Sequence, residues 1–319
     1  MERHRILIDT DIALGIERRD VDDGLALLMA KNSPVLELGG ITLTYGNDSL
    51  ECISASMDNL IDACGSFSCP IETGASESLD RNGPLPSKAA ELIKEFCLEE
   101  PDRKKKIVGI GPVTNIATAL SLYPEIKESI EELILVAGRR PGQRFLTGDH
   151  KSAHPDLNFE RDPEAMQILI ESGISLTLAP FEVSSKVWIT AEFLNNLEKA
   201  SNSSKQAAYL INPLKNWLAF WQETFSTSTR PISGFNPFDC LAIAWLTDRD
   251  LLTWTDVALA IEEDCYDTTD EAVQGTGSGQ KPYLHVRPIE KPEESPHRYI
   301  HDVDQEVFLE RLLRRLTLV

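Results

Sequence analysis

The chain has 319 residues, a formal net charge of −20 and six cysteines. That length can bury a sizeable core, and we expect one domain over residues 1–319. The acidic balance excludes a nucleic-acid surface, which needs a basic stripe. No apolar run approaches the ~18 residues of a membrane span. The start at Met1, with no secretory apolar region, makes a soluble cytoplasmic protein the expectation. The cysteines (Cys52, Cys64, Cys69, Cys97, Cys240, Cys265) are too scattered for a disulfide scaffold or a zinc site, and read as reduced thiols.

The first element is the apolar run Ile6-Leu7-Ile8, which ends in acids: Asp9-Thr10-Asp11, then Asp20-Val21-Asp22-Asp23. An apolar helical pattern follows at 24–31. This order predicts a buried parallel strand, a loop and a helix. Further strands are predicted at 38–44, 71–73, 107–110, 133–137 and 175–178. Helices are predicted between and after them at 49–64, 88–98, 115–122, 163–171 and 190–200. The alternation predicts an α/β fold, an open and mostly parallel sheet with helices on both faces. In such sheets ligands bind beyond the carboxyl ends of the strands. The basic run Arg103–Lys106 reads as a solvated turn. The aromatic-rich stretch 210–225 reads as a helix serving the core or a subunit contact, and 240–246 as an apolar helix. Residues 262–294, with their Gly-rich centre, read as an exposed excursion, and 307–318 as an amphipathic closing helix.

Asp20, Asp22 and Asp23 could simply favour a helix N-terminus, where carboxylates suit the dipole. That leaves Asp9 and Asp11, on the strand side, without a reason. So many carboxylates in one loop need a cation or a hydroxyl-rich ligand, and carboxylate oxygens suit Ca²⁺ or Mg²⁺. Other polar groups end successive strands: Asn47 after Gly46, Asn115 closing Gly111-Pro112-Val113-Thr114, Asp156 and Asn158 before Asp162-Pro163, and Asp239 after Asn236-Pro237-Phe238. They would converge on one crevice able to hold a metal and a sugar.

In this order and spacing, from Ile6 to about Leu246, the motifs resemble the inosine–uridine preferring nucleoside hydrolase family. The resemblance implies a Rossmann-like nucleoside hydrolase fold, a Ca²⁺ ion at the floor of the cleft, a ribonucleoside substrate and a homodimer or homotetramer. It implies that Asp11, Asp23, Asp239 and the carbonyl of Ile110 hold the ion, with Asp11 also taking a proton from the attacking water. Asp22, Asn47, Asp156 and Asn158 match ribose-binding positions, His150 stands where the sugar 5′-hydroxyl is held, and Asp9 supports the strand end and the metal loop from behind. The implied chemistry is hydrolysis of the N-glycosidic bond through an oxocarbenium-like state, giving free base and ribose.

The chain departs from the family pattern in three places. Ten residues separate Asp11 from Asp22 where relatives have a short Pro-Gly-x, and we read them as a loop bulging above the metal, over the substrate. Phe238 replaces a His that is a candidate acid for the leaving base, so it either stacks on the base or fills the core. Asn82 stands where His is common among relatives. His154, near the ribose motif, is either an acid or structural. Two other readings stay open: a ribose- or nucleoside-binding protein without catalysis, and a metal-dependent phosphohydrolase with Asp9 as nucleophile.

Overall fold

The computed structural model describes residues 3–147, 153–227, 229, 231–267, 280–291 and 295–318. Its strands in chain order are β1 (His4–Thr10), β2 (Leu36–Leu43), β3 (Ile71–Thr73), β4 (Lys105–Gly109), β5 (Ile130–Leu135) and β6 (Ser175–Leu178). They continue with β7 (Ile189–Thr190), β8 (Gly234–Phe235), β9 (Leu252–Asp264), β10 (Lys281–Pro288) and β11 (His297–Val303). Nine of them form one sheet in the order β10-β9-β11-β6-β5-β4-β1-β2-β3, and β7 pairs with β8 apart from it.

From β3 to β6 every pairing is parallel, as is β11 on β6; β9 alone runs antiparallel to both its neighbours. The order 3-2-1-4-5-6 is the doubly wound, Rossmann-like one, with its switch point between β1 and β4. The predicted α/β class is what the chain adopts. Ile6, Leu7 and Ile8 have no exposed surface, because neighbouring strands cover β1 at both edges and helices cover both faces. Leu7 packs into one apolar layer with Ile93, Phe96 and Ile107, while Ile6 and Ile8 point into the other with Leu25, Ile41 and Leu241. Side chains alternating across a strand produce this division.

The predicted helices all form, with ends moved by a few residues; the aromatic helix starts earlier, spanning Lys205–Phe225, and the last spans Gln305–Leu316. Their starts follow the capping signals: Ser49, Ser87 and Asp162 each accept from a backbone N–H of the first turn. Among the described residues no helix is long and apolar enough to cross a membrane.

Two expectations need correction. The stretch 262–294 is not an exposed excursion throughout, because β10 lies within it and buries Tyr283, Leu284 and Val286 against the sheet. The basic run is not a solvated turn throughout either. Lys105 and Lys106 lie in β4 and are buried. Lys105 Nζ donates to the carbonyls of Cys97, Glu99 and Glu100, and Lys106 Nζ donates to Glu131 and Glu132. Long side chains can bury their stems when the charged end finds oxygen partners.

The last helix is locked to the rest by a buried carboxylate. Asp248 follows helix Cys240–Thr247 and accepts from Arg315 Nη1 at 2.5 Å and Nη2 at 3.0 Å, and from Arg311 Nη1 at 3.0 Å. Burial alone would raise its pKa, but the bonds from Arg315, Thr247 and Arg311 outweigh it and hold the carboxyl below its usual range. Asp248→Ala leaves a buried guanidinium uncompensated. We expect a loss of about 3–5 kcal/mol, read as a lower denaturation midpoint in urea.

Candidate active site

The carboxyl ends of β1 and β4 diverge at the switch point, and the acids lie there. Ile110 N donates to Asp9 O at 2.8 Å and Thr44 N to Thr10 O at 3.0 Å, so the exits of β4 and β2 flank the start of the acidic loop. Asp9 has no exposed surface and ties these exits together. Its Oδ1 accepts from Thr42 Oγ1 at 2.6 Å and Asn115 Nδ2 at 2.8 Å, and Asn115 also holds Leu43 O and Ala75 N. Burial pushes the Asp9 carboxyl up to about 7, against the lowering effect of those bonds. Asp9 thus joins the β2 exit to the helix after β4.

Asp11 sits in a cradle made of backbone. Its Oδ2 accepts from Asn47 N at 2.7 Å. A Cβ on Gly46 would lie 2.0 Å from Oδ2, and one on Gly111 would lie 2.8 Å from Oδ1. Only glycine permits this approach. Among the described residues Oδ1 has no hydrogen-bond partner, although it is buried. Asp23, at the start of helix Asp22–Lys31, lies against Asp11 and Asp239. Its Oδ1 accepts from Thr10 Oγ1 at 2.5 Å and its Oδ2 from Asn47 Nδ2 at 3.1 Å. Asp239 N donates to Asp22 Oδ2 at 2.8 Å. Asp22, Asp23 and Asp239 each offer an oxygen within 4.8 Å of the others.

Among the described residues no lysine or arginine pairs with this cluster. Burial first, and mutual repulsion second, push Asp11, Asp20 and Asp239 well above the usual carboxylate range. Burial raises Asp22 too, and the same forces bring Asp23 up to about 7. Three other buried acids differ: Asp248, Glu132 and Asp267 each meet at least one cationic side chain.

Above the acids opens a cavity of about 930 Å³ including its mouth, within the range of small-molecule sites. Asp22, Asn47, Ile110, Asp156, Asn158 and Asp239 line its polar end. Asn158 Nδ2 donates to Ile110 O at 3.1 Å and Val136 O at 3.2 Å, and Asp156 Oδ2 accepts from Gly138 N at 2.8 Å. Burial raises Asp156 to about 6, while the charge of Arg139 restrains it. The opposite wall is aromatic. Phe181 stacks on Phe145 with centroids 4.6 Å apart and on Phe238 at 5.8 Å, and Trp221 lies 6.2 Å from Phe238.

The structure thus brings Asp11, Asp22, Asp23, Asn47, Ile110, Asp156, Asn158, Phe238 and Asp239 to one place. Asn82 is not part of it. It is exposed at the end of helix Leu79–Asn82, donates to Glu77 and is not among the residues lining the cavity. His150 lies outside the described residues. The 12–20 loop is anchored in the core at its start, while Arg18 lies 5.7 Å over the cavity-lining ring of Phe220. Ile12, Ala13 and Leu14 are buried in the core, Ser56 Oγ donates to Leu14 O at 3.0 Å, and Arg19 Nε donates to Asp48 Oδ2 at 2.8 Å. From this loop Asp20 lines the cavity and hydrogen-bonds to Asp22. Sequence reasoning assigned no role to Asp20 or Thr10, both named in the acidic run. It also read the helix over 210–225 as serving the core or a subunit contact, whereas Trp217, Phe220, Trp221 and Phe225 line the cavity. A helix with aromatic residues on more than one face carried that signal.

A family model described as inosine-uridine preferring nucleoside hydrolase matches residues 6–310. The chain belongs to that family. The hydrolase is 27% identical over 280 residues to the non-specific ribonucleoside hydrolase RihC of Salmonella paratyphi B, covering 81% of this chain and 83% of the relative. A purine-preferring ribonucleoside hydrolase from Gardnerella vaginalis superposes with a TM-score of 0.76 at 21% identity, covering 98% of both chains. An inosine-uridine preferring nucleoside hydrolase from Bacillus anthracis gives 0.72 at 16%, covering 99% of this chain and 100% of the other. Membership makes the protein an enzyme that hydrolyses the N-glycosidic bond of ribonucleosides.

The hydrolase's site fits a divalent cation by its own chemistry. The donors are hard oxygens, one buried oxygen of Asp11 lacks a partner, and the cradle around it excludes any Cβ. A phosphohydrolase is disfavoured, since no lysine or arginine is among the described residues lining the cavity and Asp9 is sealed behind it. A carboxyl whose pKa is higher folded than unfolded holds extra protons in the folded state between the two values. Stability therefore falls as pH rises through that window. For Asp23 the window runs from 3.8 to about 7. In chelator, the melting temperature should fall by several degrees between about pH 5 and about pH 8. Millimolar divalent cation should restore it, with a larger gain at the higher pH. Equal gains at both would contradict the cation-binding assignment.

Proposed function

We propose that the enzyme binds Ca²⁺ through Asp11, Asp23, Asp239 and the Ile110 carbonyl, and that Asp11 is the general base. The observation that supports this most is the buried, unpartnered Oδ1 of Asp11, held between two glycines beside Asp23. When bound, the ion supplies positive charge that makes a nearby water easier to deprotonate and offers coordination to ribose hydroxyls.

The rest falls to the chain's own side chains. Asp22, Asn47, Asp156 and Asn158 line the polar end, where they grip ribose hydroxyls and fix the sugar with its anomeric carbon over Asp11. Asp11 takes the proton of the attacking water. As the C–N bond breaks, positive charge grows on the ribose, and the fixed carboxylates stabilise it in a site with little solvent. Direct attack by one water inverts the anomeric centre. The base lies against Phe238, Phe181 and Trp221, and stacking accepts any base because each has a π-face. This favours a broad choice of purine and pyrimidine ribonucleosides. The proposal extends to a cytoplasmic homodimer or homotetramer, which a mass measurement in solution would check.

The test is release of reducing sugar from a panel of ribonucleosides. Chelator should abolish it and Ca²⁺ should restore it. Asp11→Asn should lower kcat by about 10²–10⁴-fold, the usual span for a general base. Asp156→Asn should mainly raise KM. Saturable ribose binding without turnover in the calcium-loaded protein would overturn the mechanism.

A further inference from the structure

The cavity is divided by chemistry. Acids gather at its floor, where Asp20, Asp22 and Asp239 line it and Asp23 lies against Asp22 and Asp239, and in the mechanism above its aromatic wall holds the leaving base. A purine or pyrimidine anion leaves poorly unless it is protonated as the C–N bond breaks. Phe238 beside Asp239 cannot give a proton, and neither can Phe181, Phe145 or Trp221. Among the described lining residues, one imidazole stands at this end of the cavity: His154.

Its placement is built. His154 N donates to Phe145 O at 2.7 Å, closing a bridge that fixes the backbone on both sides. The ring lies 6.3 Å from Phe181 at 26° and 5.0 Å from Phe225, edge to face at 71°. Phe181 therefore has His154 on one side and Phe238 on another, so the imidazole belongs to the surface on which the base would stack. His154 is also two residues before Asp156 in a non-helical stretch, and both side chains line the cavity. Two extended residues span about 7 Å, comparable with the reach from a ribose hydroxyl to the far edge of its base. One short segment thus presents a sugar-gripping carboxylate and, one step along, a ring with an acidic N–H.

We propose that His154 is the acid that protonates the leaving base. This rests on the hydrolase mechanism above. As water adds to the anomeric carbon, the C–N bond breaks and its electron pair moves onto the base. The imidazolium N–H of His154 then gives its proton to a base nitrogen. The water's proton goes to Asp11 and from there to solvent, and solvent returns one to the imidazole, so the sum is nucleoside plus water giving ribose and neutral base. Asp20 and Asp156 also carry acidic groups into the cavity, but Asp20 is bonded to Asp22 and Asp156 to Gly138 at the polar end.

The experiment compares two substrates in the calcium-loaded full chain: inosine, whose base needs a proton to leave, and p-nitrophenyl riboside, whose phenolate does not. His154→Ala and His154→Gln should lower kcat for inosine by about 100-fold or more, with p-nitrophenyl riboside turnover falling only slightly. The second substrate also reports whether each variant is folded. Parallel losses on both substrates, or none on either, overturn the proposal. So does the same leaving-group dependence in His150→Ala but not in His154→Ala. A wild-type enzyme that cleaves neither substrate would instead sink the underlying mechanism, and this step with it.

Discussion

Five carboxylates crowd one point of this fold, and among the described residues no cationic side chain meets them. Asp11, Asp20, Asp22, Asp23 and Asp239 come from a strand end, a loop and two helix starts, and burial raises the pKa of all five. Three other buried acids are paired with cations. Asp248 has two arginines, Glu132 has Lys106 and Arg298, and Asp267 has Arg139 and Lys281. Burying like charges costs free energy that the bare fold must bear. The acids at this point have no such partner among the described residues, and the oxygens of Asp22, Asp23 and Asp239, within 4.8 Å of one another, suit a hard cation.

The neighbouring polar contacts follow from that constraint. Gly46 and Gly111 lack side chains where Asp11 needs room, and Thr10 and Asn47 spend their donors on Asp23 and Asp11. Support reaches the sugar end from further away. Asp156 N donates to Glu160 Oε1, which also meets Arg139 and Lys281. Arg139 in turn pairs with Asp267, stacks on Phe145 at 3.9 Å and joins the loop after β5 to β10. The hairpin of β9 and β10 therefore braces both ends of the cavity at once: the sugar end through Glu160, and the aromatic end through Phe145.

What the sequence disclosed and what it withheld divide along a physical line. Asp9, Asp11, Asp22 and Asp23 were legible because unpaired acids abutting an apolar strand are costly, so local order alone posed the question. Asn47, Asp156, Asn158 and Asp239 were legible as polar groups at strand ends preceding helices, and the doubly wound sheet brought them together. The aromatic wall was not. Trp221 and Phe225 carry one apolar signal whether they face a core or a ligand, and only the packing of β7, β8 and the long helix decides between these. Lys105 and Lys106 were misread because charge in a sequence says nothing of carbonyls waiting to receive it. Asn82 was misplaced because no acid or strand end nearby marks where a short surface helix, Leu79–Asn82, will put it.

The long insertion between Asp11 and Asp22 shows why the site survives a change in its most characteristic segment. Loop-closure entropy grows only slowly with length, so ten residues in place of a few cost little if their ends stay fixed. Both ends are fixed here: Asp11 by the end of β1 and its glycine cradle, Asp22 and Asp23 by the first turn of a helix buried along its length. Its course is pinned as well, because Ile12, Ala13 and Leu14 enter the core, Arg18 lies over Phe220 and Arg19 reaches Asp48. The distance between two acids along the chain is thus a poor guide to the distance between them in space. The frame on either side sets it, and the insertion was free to add Asp20 to the cavity without disturbing the acids already there.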